Sequence, residues 1–458
     1  MESFLPTALL DSLKEVKGFD EQAFIQAHTS SHSIVSVRLN PTKSFDLAHS
    51  NLQITDPVPW NTHGYYLAQR PSFTLDPFFH AGAYYVQEAS SMFLEQALVQ
   101  TCDLSRPLRV LDLCAAPGGK STLIQSLICA ESVLVCNEVI KTRVNVLTEN
   151  MTKWGGINTV VTHNDPKDFQ QLSDFFDVMV VDAPCSGSGL FRKDSAAMDE
   201  WSEQLVTICS QRQQRILADA LPALKPGGIL IYSTCSFSEA ENESIVDWLT
   251  AEAGVESISL QIKEDWHITV TASPQYNAAG YRFYPNAVRG EGFFLAAFRK
   301  PFSVETNSFS AVKNKFDTLS KAEQSIVDGW VKKAPGHCFV KWQKDILLFN
   351  LALQQVVSIL QSCLYIKSAG INIGTLMRDE FIPSHGLAMS GLTHENIPVV
   401  SLNEEAALNY LRRVDLLIDT ATKGWTLIRF YGLALGFAKI LPNRINNYYP
   451  KEWRIINK

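Results

Sequence analysis

No two cysteines in this chain stand in a C-x-x-C spacing, and the nine present follow no regular interval. That argues against a disulfide framework and against a cysteine-bound zinc ion, so free thiols and no metal site are expected. Apolar runs of about 18 residues, the length of a membrane span, are lacking as well. The nearest approach, DILLFNLALQQVVSIL, is interrupted by Asp345, Asn350, Gln354 and Gln355. The opening MESFLPTALLDSLKEV has neither the basic start nor the continuous apolar stretch of a secretory signal. A cytoplasmic, monomeric protein without membrane contact is the expectation. Positive charge is also in short supply, with a net charge of −7. It is unevenly spread: 18 Lys and Arg face 13 Asp and Glu after residue 300, against 22 and 34 before it. An acidic unit joined to a mildly basic one fits that split.

What is present is ample core material. Hydrophobic residues make up 46% of 458 and charged residues 19%, enough for more than one packed unit. Between about 108 and 250, β-branched apolar runs alternate with helical patterns, the rhythm of an α/β fold with a parallel sheet. The runs are LRVLDL, SVLVCNE, NTVVTHND, DVMVVDA and GILIYSTC, and the longest helical pattern is MDEWSEQLVTICSQRQQRILADALPAL. GYRFYPNAVRGEGFFLAAFRK then reads as an antiparallel hairpin at the sheet edge. The expected units are a mostly helical N-terminal lead-in over 1–100, a Rossmann-like unit over 101–300, a linker over 301–320, and an α+β region over 321–458. The last ends in GWTLIRFYGLALGFAKILPNRINNYYP, whose glycines and aromatics suit a small β-barrel.

Ligands of an open α/β sheet sit beyond the carboxyl ends of its strands. There the runs end in Asp112, Glu138, Asp165 and Asp182. Any one of these could be a helix cap, but an acid on each of four strands points to a shared ligand. The first turn, DLCAAPGGKST, places Gly118 and Gly119 where backbone approaches a ligand, before a helix N-terminus that favours an anion. A P-loop would need glycine at Cys114, and G-x-G-x-x-G is missing. Glu138, about twenty residues past the turn, suits two ribose hydroxyls in either a nicotinamide or an S-adenosylmethionine site.

Six cysteines, at 102, 129, 136, 209, 338 and 363, read as small packed hydrophobes, and Cys114 sits in the first turn. Cys185 in VVDAPCSGSGLF and Cys235 in LIYSTCSFSEAENES instead fall just past strand ends on the ligand edge. A thiol there needs local activation to act as a nucleophile. A thiolate beside a methyl donor suggests one chemistry. Addition to carbon 6 of an unstacked cytosine makes carbon 5 nucleophilic toward a methyl group, and Asp182 is the candidate acid at nitrogen 3. The residues alone do not rank the two cysteines.

DLCAAPGGKS, Asn137-Glu138, VVDAPCSGSGLFRKD, YSTCSFSEAENE and RFYPNAVRGEGFF together closely resemble the Sun family of RNA cytosine-5 methyltransferases. RLNPTK and YYVQEASSM are similar to that family's N-terminal segment, so the likeness spans roughly 30–300. The tail LALGFAKILPNRINNYYPKEWR resembles the PUA-type RNA-binding end of a branch that modifies 16S ribosomal RNA. The resemblance implies that Cys114, Ala115, Ala116, Pro117, Gly118, Gly119 and Lys120 hold the methionine part of S-adenosylmethionine. Glu138 and Asp165 would take its ribose and adenine side, and Asp182 would lie by the reactive centre. It implies Cys235 as nucleophile and Cys185 as the helper in product release. Gly119 stands where the branch often has Ser, a small change. RNA is the implied partner, rRNA first and tRNA as the alternative, with an inactive RNA-binding assembly factor as a further one. An expected RNA-contacting stripe comprises Arg38, Lys43, Lys193, Arg282, Arg289 and Lys439.

Overall fold

Helical periodicity at the start of the chain is realised in α1 (Thr7–Leu13) and α2 (Glu21–Thr29), which bury Leu9, Leu10, Leu13 and Phe24. Asp20 caps α2 by accepting from Ala23 N at 3.0 Å. From Val35 the computed structural model departs from the helical lead-in. IVSVRL is strand β1 (Val35–Leu39), joined by β2 (Ile54–Pro57), β3 (Gly64–Leu67) and β4 (Tyr84–Val86) in an antiparallel sheet ordered β2-β3-β1-β4. Strands this short, separated by irregular connections, carry too few residues for a period of two to register. The structure describes residues 5–30, 34–303, 316–377, 380–414, 416 and 422–456. Of the expected linker, 304–315 lie outside them.

The five apolar runs form β5 (Arg109–Asp112), β6 (Val133–Asn137), β7 (Thr159–Thr162), β8 (Phe176–Asp182) and β9 (Leu224–Thr234), all parallel. Between them run α3 (Gly119–Leu127), α4 (Lys141–Trp154) and α5 (Glu203–Ala220), and α6 (Glu243–Ala251) follows β9. The long helical pattern breaks at Trp201, because Ser202 starts α5 afresh by capping Leu205 N at 3.1 Å. Beyond β9 the chain adds β10 (Glu256–Ile258), β11 (Thr269–Ala272), β12 (Ala279–Phe283) and β13 (Phe293–Arg299), all antiparallel. The expected hairpin is β12–β13, and β11 rather than the hairpin forms that edge.

The region after 316 contributes β14 (His337–Trp342), β15 (Asp345–Asn350), α7 (Leu351–Leu360), β16 (Ile366–Ala369), β17 (Ile371–Met377) and β18 (Glu380–Pro383). Its last part holds β19 (Val399–Leu402), α8 (Glu404–Arg412), β20 (Gly424–Phe430), β21 (Leu433–Leu441) and β22 (Arg444–Asn447), with β19–β22 in one mixed sheet. Two of these elements reach back into the catalytic unit. β16 pairs antiparallel with β7, giving the central order β11-β12-β13-β9-β8-β5-β6-β7-β16. α7 buries Leu353, Val356, Val357 and Leu360 in the same core as Leu111, Val135 and Met179. An edge strand left open at β7 would offer unpaired backbone groups, and β16 satisfies them. The lead-in likewise shares a core with the tail, Val37, Phe78 and Tyr84 packing with Tyr410, Ile428 and Tyr449. No helix among the described residues is long and apolar enough to cross a membrane.

The expected stripe of basic residues does not form. Arg38, 2% exposed, donates to Gln87 Oε1 at 2.9 Å and Thr122 Oγ1 at 2.6 Å, tying β1 to α3, and burial lowers its pKa to about 9. Lys43 donates to the carbonyls of Ala81 at 2.8 Å and Lys153 at 2.5 Å, and burial lowers it to about 7. Arg282 is buried against Glu243, donating Nε to Oε1 at 2.7 Å and Nη1 to Phe237 O at 2.6 Å. Arg289 is engaged by Asp56 at 2.6 Å and Lys439 pairs with Glu380, while Lys193 is exposed. Guanidinium donors aimed inward complete the packing because a buried carboxylate or carbonyl needs a partner more than the surface needs charge. Removing one member of a buried pair leaves the other charge uncompensated. Arg282→Leu should therefore cost about 3–5 kcal/mol, read from chemical denaturation.

Candidate active site

Strand order decides where a ligand can sit. From β5 the chain builds outward through β6 and β7, then crosses to β8 on the other side of β5, so the crevice opens between the ends of β5 and β8. Asp112 ends β5 and Asp182 ends β8. The turn after β5 contains a cis Ala116–Pro117 bond, and Gly118 at φ 115° starts α3 in a conformation that other residues resist. Ala115 N donates to Asn137 O at 2.8 Å, and the Asn137 side chain bonds Leu113 O and Asn164 O at 3.2 and 3.0 Å. Asn137, invisible to motif reasoning except as the residue before Glu138, thus clasps the loops that follow β5, β6 and β7.

Each acid expected at the strand ends has a different fate. Asp112 is fully buried, with Oδ2 accepting from Ser121 Oγ at 2.6 Å and Oδ1 lacking any partner. Burial raises its pKa to about 7, helped by the charges of Asp182 and Glu138. Glu138, 3% exposed, receives Ile140 N on Oε1 at 2.9 Å. Its Oε2 lies 3.3 Å from Arg143 Nη1 without hydrogen-bond alignment, so it too is unsatisfied. Asp165 caps the 3₁₀ turn Pro166–Leu172. Asp182 pairs with Lys120 Nζ at 2.8 Å and receives Ser233 Oγ at 2.8 Å. Lys120 itself is drawn down by burial, but the Asp182 carboxylate, then Asp112 and Cys235, outweigh that and hold its pKa up. A charged ammonium therefore stands between the acids and Cys235. Cys114, in the same turn, is pushed up by burial and is inert.

The register of β8 against β9 sets Asp182 opposite Ser233, and both strands run on into cysteine loops. The two sulfurs come 3.0 Å apart, Cys185 Sγ to Cys235 Sγ, with both cysteines free. The bond to Cys235, then burial, raises the Cys185 thiol well above its ordinary value. Backbone closes the pair: Gly189 N donates to Cys235 O at 2.8 Å, and a side chain on Gly189 would meet that oxygen at 2.6 Å. Of the other cysteines, Cys136 and Cys209 are buried as expected, while Cys102, Cys129, Cys338 and Cys363 are partly so. A cavity of about 690 Å³ between α4 and the C-terminal region contains none of these site residues.

A parallel sheet with its switch-point crevice lined by acids, next to a glycine turn and a pair of sulfurs, defines a Rossmann-like S-adenosylmethionine-dependent methyltransferase. The orphaned oxygens of Asp112 and Glu138 suit the cation and hydroxyls of that cofactor. Residues 100–299 match the family described as 16S rRNA methyltransferase RsmB/F. Residues 5–89 match the N-terminal domain of 16S rRNA methyltransferase RsmF, and 397–455 the methyltransferase RsmF PUA domain. Ribosomal RNA small subunit methyltransferase F of Aeromonas salmonicida is 32% identical, over 87% of this chain and 85% of its own. That of Pectobacterium atrosepticum is 28% identical over 98% and 95%. Among solved structures, a methyltransferase homologue from Pyrococcus horikoshii superposes with a TM-score of 0.51 at 27% identity, over 65% of this chain and all of the other. NSun6 from the same organism, solved with SFG, gives 0.54 at 18% identity, over 65% and 99%. The chain belongs to the ribosomal RNA small subunit methyltransferase F family.

An Asp112 carboxyl raised to about 7 predicts pH-dependent binding of a cationic ligand at Oδ1. Below about pH 7 its carboxyl is protonated and neutral, and above that it is anionic, so a cationic group at Oδ1 binds more tightly as pH rises. Affinity for S-adenosylmethionine should rise about tenfold from about pH 6 to about pH 8. Asp112→Asn should flatten that dependence in titration calorimetry.

Proposed function

We propose that the protein methylates carbon 5 of a cytosine in 16S rRNA through a covalent Cys235 adduct. The observation that carries this reading is the pair of sulfurs 3.0 Å apart beside the Lys120–Asp182 ion pair. Carbons 5 and 6 of a pyrimidine are bonded neighbours, so two sulfurs that close together can each face one of them. The likeness to the Sun family supports Cys235 as the attacking sulfur, with Cys185 beside it. Its thiolate forms a bond to carbon 6, and the displaced electron pair makes carbon 5 nucleophilic. Lys120, held in place by Asp182, meets the negative charge that develops at nitrogen 3. S-adenosylmethionine supplies the methyl group that carbon 5 then takes. Loss of the carbon 5 proton to a base returns the electron pair, breaks the bond to carbon 6 and frees Cys235, with Cys185 assisting.

On the cofactor side, Glu138 is assigned to the ribose hydroxyls and the turn Cys114–Lys120 to the methionine part, with Asp165 on the adenine side. Asp112, with its orphaned oxygen, is the added acid. Four acids with one ammonium among them, already paired with Asp182, favour a ligand carrying positive charge. A small-subunit rRNA substrate is supported by relatives named ribosomal RNA small subunit methyltransferase F and by the match of both ends of the chain to domains of the methyltransferase RsmF. A tRNA substrate has no such support.

Cys235→Ala should abolish methyl transfer to small-subunit rRNA, scored by bisulfite sequencing in a complemented deletion strain. Cys185→Ala should leave a protein–RNA adduct that survives denaturing electrophoresis. Persistent methylation by Cys235→Ala would overturn the assignment.

A further inference from the structure

Glu241 lies just beyond β9, in the 3₁₀ turn Glu239–Glu241, and is fully buried. Its Oε2 accepts from Ser186 Oγ at 2.6 Å and from Ser236 Oγ at 2.5 Å, and its Oε1 accepts from Ser186 N at 2.7 Å. Gln213 Nε2 reaches Oε1 at 3.4 Å. Ser186 directly follows Cys185, and Ser236 directly follows Cys235. We propose that Glu241 is the positioning residue that sets the two sulfurs against each other, by dividing one carboxylate between the two cysteine loops. This deepens the proposed covalent mechanism and rests on it.

The chemistry of the carboxylate favours this over a merely structural role. Its donors are two hydroxyls, one amide N–H and Gln213, all neutral, so the carboxylate is held without an ion pair among these partners. Burying a carboxylate this way is costly, and a neutral side chain would close the same turn at less expense. What the charge adds is strength, since bonds to an ionised acceptor are shorter and about twice as strong as neutral ones. The surrounding bonds hold the backbone of this turn and of the Cys235 loop: Tyr232 OH donates to Glu241 O at 2.6 Å, and Asn242 Nδ2 to Ser236 O at 2.8 Å. Its negative charge also lies close enough to discourage ionisation of Cys185.

Because each serine belongs to one loop, the two bonds should affect different steps. Ser236→Ala should slow covalent capture of an RNA carrying 5-fluorocytidine, whose fluorine blocks release, by about tenfold or more. Ser186→Ala should capture that RNA at the wild-type rate, yet accumulate adduct on unmodified RNA as Cys185→Ala does. Glu241→Gln should show both defects and Glu241→Asp a partial recovery. Each serine variant leaves the buried carboxylate short of one donor, so both should lower the thermal midpoint to a similar, modest extent, while S-adenosylmethionine affinity stays at the wild-type value. Equal kinetic behaviour of Ser186→Ala and Ser236→Ala, whether both normal or both impaired at the same step, would overturn the positioning role. If the wild-type protein itself captures no 5-fluorocytidine RNA, the covalent reading fails instead. Should Glu241→Gln not fold, the serine pair decides alone.

Discussion

Asp182 stands opposite Ser233 in the parallel pairing of β8 and β9, and the rest of the site depends on that register. Side chains alternate along a strand, so a slip of one residue would turn Asp182 away from Lys120 and carry Cys235 away from Cys185. The register is held by burial: Val178, Met179, Val180 and Val181 of β8 and Leu230, Ile231 and Tyr232 of β9 are all within 1% of full burial. A slip would exchange the residues of two opposite cores, since Met179 and Val181 pack on one face and Val178 and Val180 on the other. The hydrophobic pattern of two strands thus specifies a sulfur-to-sulfur distance several residues beyond them.

Charge is the second constraint, and it is unbalanced in the direction of the ligand. Asp112, Glu138 and Asp182 crowd one crevice, and Lys120 is bonded to only one of them. Arg143 sets Nη1 3.3 Å from Glu138 Oε2 while its Nη2 donates to Ala116 O at 2.5 Å. Burial first, and then the neighbouring charges of Asp182 and Glu138, keep the proton on Asp112. A ligand with an ammonium and a sulfonium relieves this repulsion on entry, so part of its binding free energy is the protein's own electrostatic strain removed.

The central sheet was legible because its strands are continuous apolar runs ending in acids, and a parallel sheet buried on both faces writes just such runs. Cys185 and Cys235 stood out for the same reason, being the first reactive residues after two of those ends. Glu241 and Asn137 did not, although both lie inside quoted motifs. Their importance is in which atoms they bond across gaps of 55 and 27 residues, and no local pattern records that. The basic stripe misled for a related reason. Arg38 and Arg282 have the composition of surface charge, but their forks are satisfied inside, by Gln87 and Thr122 in one case and Glu243 in the other. β16 escaped notice because four residues joining a foreign sheet have no periodicity of their own.

These inward-facing charges bear on how an acidic chain engages RNA. With Arg38 and Arg282 buried, Lys43 bonded to backbone carbonyls, and Arg289 and Lys439 paired, long-range attraction to phosphate is weaker than a count of basic residues suggests. Recognition must then lean on shape and on the relative placement of the catalytic sheet and the flanking units. The structure supplies that placement by bonding rather than by tethering. Arg38 ties the lead-in to α3, β16 extends β7, and Asn164 exchanges hydrogen bonds with the backbone of Tyr365 at 2.8 and 3.0 Å. Asn164 is also the residue whose carbonyl Asn137 holds, one position before Asp165. The C-terminal region is therefore bonded to the same loop that borders the cofactor crevice.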